Sequence, residues 1–75
     1  MTLHEGTVGK TYQVEKICID LKIQRRLEAI GMVEQTKVAI VNEKRNGSMI
    51  IRLRGTRWAI GAAIASSIQV KEVAQ

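Results

Sequence analysis

Apolar residues recur along this chain at two different spacings. From Lys10 to Ile17 (KTYQVEKI), Tyr12 and Val14 alternate with polar neighbours, the period-two signature of a strand with one face buried. From Asp20 the spacing changes. Ile23, Leu27 and Ile30 stand at i, i+4 and i+7, which gathers them into one apolar stripe on a helix. Asp20 is a candidate N-cap, because its carboxylate can accept from the amides of the first turn. Gly31 is a candidate C′ residue, because glycine takes the left-handed conformation that ends many helices at no steric cost. The pattern predicts one short helix laid as a lid on a small barrel.

Alternation returns after the helix. Thr36 to Lys44 (TKVAIVNEK) is β-branched, with Val38 and Ile40 on one face and Ala39 and Val41 on the other. Asn46-Gly47, between two apolar runs, predicts a hairpin with a type I′ turn, whose central residues both need positive φ. Met49 to Arg54 is the next strand, with Met49, Ile51 and Leu53 inward, Arg52 and Arg54 outward, and Gly55 breaking it. Arg57 to Ile60 puts Trp58 and Ile60 on one side, and a lone tryptophan in such a strand reads as core. Gly61 to Ser67 has the length of one helical turn, with Ile64 against the core, and Ile68 to Val73 (IQVKEV) alternates again. Met1 to Gly9 reads as a mobile lead-in, with Gly6 and Gly9 turning the chain into the first strand. The fold class is mainly β: about five strands in a small, partly open barrel, whose closure hides strand edges that a flat sheet exposes.

Composition narrows the function more than the fold. Seventy-five residues make one domain near the lower limit for an unaided core. The core supply is almost wholly aliphatic, with one Tyr, one Trp and no Phe. The single cysteine, Cys18, rules out an internal disulfide framework, suits a reducing compartment and reads as an ordinary buried or half-buried residue. The beginning of the chain has no apolar stretch of signal-peptide length, and no run approaches the roughly 20 residues of a membrane helix. A soluble, cytoplasmic protein is the expectation.

The catalytic inventory is thin. His4 is the only histidine, and it sits in the lead-in, so no imidazole is available for a buried triad and Cys18 has no histidine partner nearby. One Cys, one His, one Asp and six scattered Glu do not make a metal-ligand set, and no phosphate-binding glycine loop is present. The sequence reads as a binding module and not an enzyme, without catalytic residues, cofactor or metal site.

The binding candidates are basic. The net charge is +5, from twelve Lys and Arg against seven Asp and Glu, and no block is purely basic. At about 100° per residue, Lys22, Arg25 and Arg26 share a sector of the helix away from the apolar stripe; Glu28 can pair with Arg25. Such a face is either a solvated surface or a docking face for an acidic partner. Leu21 points opposite the stripe, as an exposed anchor or packed on the chain entering the helix, and Met32 flanks the helix. Arg52, Arg54 and Arg57, with Lys44 and Arg45 of the hairpin, form a second basic group. The scarcity of aromatic residues argues against RNA or single-stranded DNA, which bind on stacked aromatics.

The run Arg26-Leu27-Glu28-Ala29-Ile30-Gly31-Met32, followed by Thr36-Lys37-Val38, resembles the core motif of the FeoA family, small proteins of bacterial ferrous iron uptake. Trp58-Ala59-Ile60 and Ala65-Ser66-Ser67-Ile68-Gln69-Val70 resemble the family's ending, so the likeness covers nearly the whole chain as a single domain, residues 1–75. The sequence departs from the family at Gln35, where glycine is common. The resemblance implies an SH3-like barrel with an inserted helix. It also implies a non-enzymatic accessory role beside FeoB, the membrane permease with a cytoplasmic GTPase domain. Transition-metal binding attaches to it only as a family-level term, and the barrel is not expected to hold the iron. The alternatives are a regulatory domain like the SH3-like end of DtxR-type iron-dependent repressors, and a basic nucleic-acid-binding barrel.

Overall fold

Ten of the apolar residues that alternate along the strands end on one side of a single sheet. In the computed structural model, which describes residues 1–73, a 3-10 turn (Leu3–Glu5) precedes β1 (Thr11–Ile17), α1 (Leu21–Ala29), β2 (Lys37–Glu43), β3 (Met49–Leu53), β4 (Thr56–Ile60), α2 (Ala62–Ser66) and β5 (Ile68–Glu72). The strands pair antiparallel in the order β4-β3-β2-β1-β5. Tyr12 and Val14, Val38 and Ile40, then Met49, Ile51, Leu53, Ile60, Ile68 and Val70 are all buried. Full burial of such aliphatic side chains contributes roughly 1.5–3 kcal/mol each. The Tyr12 hydroxyl accepts from the Thr7 amide at 2.7 Å, so the one polar tip in this set is satisfied.

Both helix signals act as read. The Asp20 carboxylate accepts from the Ile23 amide at 2.9 Å. At the other end Gly31 takes φ 97°; its amide donates to Glu28 and the Met32 amide donates back to Leu27, at 3.0 and 2.9 Å. That is a Schellman motif, and its usual apolar partners, Leu27 and Met32, are both buried. The stripe is only partly covered: Leu27 is buried, while Ile23 and Ile30 are half-buried at the margin of the core.

The turns exchange roles with the prediction. At Asn46-Gly47 only Gly47 has positive φ. The Gly47 amide donates to Lys44 and the Lys44 amide to Ser48, a three-residue loop in which a tight turn is followed by a left-handed glycine. Asn46 Oδ1 accepts from the Ser48 amide and hydroxyl, at 3.0 and 2.7 Å, which fixes this form over type I′. The two-residue turn with positive φ at both positions is Arg54-Gly55 (52° and 81°), between Leu53 and Thr56, which pair directly.

The beginning of the chain is not a loose lead-in. Leu3 is fully buried, Thr2 bridges to Gln69, and the Val70 amide donates to the Met1 carbonyl at 2.8 Å. The Thr2 amide donates to Glu5 Oε1 at 2.7 Å, closing the 3-10 turn. Gly9 does turn the chain, with φ 92°. Gly6 instead lies in extended backbone, and a Cβ there would stand 2.5 Å from Ile40 Cδ1 and 2.9 Å from the Tyr12 ring. In α2, Ile64 packs half-buried against the core as read, and Ala65 is fully buried beside it.

Candidate functional site

Helix α1 has two unlike flanks. Gln24 and Glu28 lie on one side of the apolar stripe, where they line a small cavity of about 130 Å³ with Ile17, Met32, Val33 and Glu34. Lys22 and Arg26 lie on the other side by helical geometry. There Arg26 borders an open groove of about 410 Å³ whose apolar walls are Ile23, Leu27 and Ile30 of α1, Trp58 and Ile60 of β4, and Ile64 of α2. No carboxylate lines this groove.

Trp58 is the main correction to the sequence reading. It shares a face with the buried Ile60, but it is 37% exposed and stands in the groove. It falls there because β4 is the last strand on its side of the sheet, so no further strand covers the ring.

On the opposite face of the same hairpin, Arg52 and Arg57 are directly paired across β3 and β4. The Leu53–Thr56 pair beside the turn exchanges hydrogen bonds, so the next pair, Arg52–Arg57, is a non-hydrogen-bonded one with the side chains closest together. Like charges so placed cost up to about 1 kcal/mol. Both are exposed, and among the described residues the only ion pair is Lys10–Glu72, at 3.4 Å. Arg54 lies apart from them, in the turn and over the end of α1, where its side chain covers Gly31.

The remaining sequence candidates sort by exposure. Leu21 is 59% exposed and Lys22, Arg25, Arg26 and Glu28 are exposed on α1. Glu28 and Arg25 form no ion pair. Met32, expected at the helix flank, is fully buried as the second residue past the helix and belongs to the core. Cys18 is exposed, not buried, because β1 has ended and its amide is held by the Ser67 carbonyl at 2.8 Å. His4 is fixed in the 3-10 turn, with Nδ1 buried and without a hydrogen-bond partner. Among the described residues no three His, Cys, Asp or Glu gather as a metal set, and no helix is long and apolar enough to cross a membrane.

The fold is shared with solved proteins. FeoA from Chlorobium tepidum superposes with a TM-score of 0.92 at 23% identity, over 99% of this chain and 71% of that one. FeoA from Stenotrophomonas maltophilia, an SH3-domain protein solved in complex with zinc, gives 0.81 at 28% identity, over 95% of this chain and 89% of that one. A manganese-dependent transcriptional repressor gives 0.88 at 19% identity, but the chain spans only 41% of it. No curated protein sequence matches at a significant level. The barrel is thus of the SH3-like kind. A model of the FeoA domain matches residues 1–72, and the chain belongs to the FeoA domain family.

Proposed function

We propose that this protein is a non-enzymatic accessory factor of bacterial ferrous iron uptake that works in the cytoplasm by docking on the GTPase-bearing permease FeoB. Membership of the FeoA domain family over nearly the whole chain carries this reading. The surface supports a protein partner: Lys22, Arg25 and Arg26 are exposed without ion pairs, and Arg26 borders an apolar groove with an exposed tryptophan. Exposed aromatic and arginine side chains are the residue types that dominate protein interfaces. The contact set on this reading is Leu21, Lys22, Arg25, Arg26 and Glu28 of α1 with Arg52, Arg54 and Arg57 of the β3–β4 hairpin.

The test is retention of this chain on the permease's isolated GTPase domain. The double variant Arg25→Glu, Arg26→Glu should lose retention about tenfold or more while unfolding at the parent's midpoint. Equal retention would remove α1 as the docking face. No retention of the parent would remove the permease as partner. The second reading is a regulatory domain of the repressor kind, favoured by the shared fold with the manganese-dependent repressor. Helices α1 and α2 are separated by three strands and form no helix-turn-helix, so retention on a DNA-reading partner protein, with none on the GTPase domain, would select this reading. Salt-sensitive binding of the chain alone to duplex DNA would select a basic nucleic-acid-binding barrel instead.

A further inference from the structure

The groove beside Trp58 has one wall that is not made of side chains. β4 is an edge strand. The hydrogen-bonded pairs of its ladder with β3 are Leu53–Thr56, Ile51–Trp58 and Met49–Ile60, by alternation from the two-residue turn. Arg57 and Ala59 therefore direct their N–H and C=O groups away from β3. Among the described residues no backbone hydrogen bond from another element reaches them. Ala59 carries its side chain on the Arg57 face, yet it lines the groove, so the backbone edge itself forms that wall, opposite α1.

Such an edge invites another strand, and proteins commonly blunt one with a covering element, a proline or a bulge. Here the chain contains no proline, the β3–β4 register runs without a shift, and α1 stands across an open groove instead of on the edge. The two faces beside the edge are also unlike. A residue added opposite Arg57 would share its face with Arg57 and Arg52, two cations with no carboxylate between them. A residue added opposite Trp58 would share the apolar face of Trp58 and Ile60, with Arg26 on the far wall.

We infer that the β4 edge binds an extended segment of a partner protein by strand addition, and that this segment alternates acidic and apolar residues. Main-chain hydrogen bonds to Arg57 and Ala59 supply the register, the Arg52–Arg57 pair selects the acidic positions, and the Trp58 groove takes the apolar ones. The unfavourable Arg52–Arg57 juxtaposition is relieved when a carboxylate arrives, so charge and geometry favour the same occupant. A helix would leave the Arg57 and Ala59 groups unpaired, and an all-acidic strand would leave the groove empty. The inference deepens the docking reading above and rests on it for the identity of the partner.

The probe is a short blocked peptide alternating Glu and Val, with two controls of equal length, one alternating Lys and Val and one of Glu alone. Binding is read from the amide resonances of Arg57 and Ala59 and from the fluorescence of Trp58, the only tryptophan. The Glu-Val peptide should shift both amides and the emission, and both controls should bind at least about tenfold more weakly. Ala59→Pro removes an outward N–H without touching the ladder to β3 and should abolish binding with the fold's spectrum retained. Arg52→Glu with Arg57→Glu should exchange the preference toward the Lys-Val peptide, an outcome that does not depend on the proline variant folding. Unmoved amides, equal binding by the Glu-only peptide, or unchanged preference in the charge-reversed variant would overturn strand addition. The same variants on the GTPase domain separate the two ideas. Retention that survives both keeps the permease as partner and rejects this edge; peptide binding without retention keeps the edge and rejects the permease.

Discussion

Arg54 lies against Gly31 so closely that a Cβ at residue 31 would stand 2.9 Å from both its Cδ and its Nε. The contact joins the end of α1 to the β3–β4 turn, and both residues have positive φ, 97° and 52°. Two local conformations that most side chains avoid are thus locked face to face. The guanidinium also sits where the last carbonyls of α1 make a cation favourable.

Gly31→Ala should therefore destabilise the fold by two separable routes. The left-handed backbone alone costs an alanine about 1–2 kcal/mol, and the collision with Arg54 adds to it. Arg54→Ala in the Gly31→Ala background should recover the collision and leave the backbone cost. A double-mutant cycle by urea unfolding reads the difference as a coupling between the two sites. No coupling would mean that Arg54 swings away freely.

Among the described residues, Gln35 is the other non-glycine residue held at positive φ, 72°, a conformation glycine takes without strain. Its amide donates to the Val14 carbonyl and its carbonyl accepts from Gln13 Nε2 at 3.1 Å, so β1 pins the strained residue in place. Gln35→Gly should raise stability by about 1 kcal/mol or less, the relief of strain offset by the greater freedom of glycine when unfolded. Gln35→Ala should show no such gain. A lower urea midpoint for the glycine variant would contradict the strain.

Leu3 is fully buried, so the beginning of the chain is a structural part and not an appendage. Leu3→Ala should cost about 2–5 kcal/mol, as for other buried leucines, and most of a small domain's stability with it. Thermal unfolding followed by circular dichroism would test this. A midpoint within a few degrees of the parent's would show that the 3-10 turn is dispensable.

The same turn has a pH dependence. Hydrogen bonds from the Thr2 backbone and side chain, aided by the positive end of the chain and His4, hold the Glu5 carboxyl below the usual carboxylate range. A depressed folded value means stability that is present at neutral pH and lost as pH falls through that value. The Thr2 amide resonance should titrate together with the Glu5 carboxyl, with a midpoint lower than that of a glutamate without hydrogen bonds. Glu5→Gln should flatten the titration of the Thr2 amide.

Sequence alone determined the parts of this protein that are governed by local rules. The Asp20 cap, the Gly31 stop and the inward residues of β1, β2, β3 and β5 follow from periodicity and from the conformations each residue tolerates, and these operate within a few positions. The motif around Leu27 to Met32 carried the family for the same reason. What the tertiary structure decided depends on which strands neighbour one another. Leu3 is core because the chain's beginning lies beside β5, and Trp58 is exposed because β4 is left without an outer neighbour. The Arg52–Arg57 pair arises only in the register set by the Arg54-Gly55 turn. An alternating strand has the same pattern at an edge as in the middle of a sheet, so no spacing within Thr56–Ile60 could state what lies beyond it.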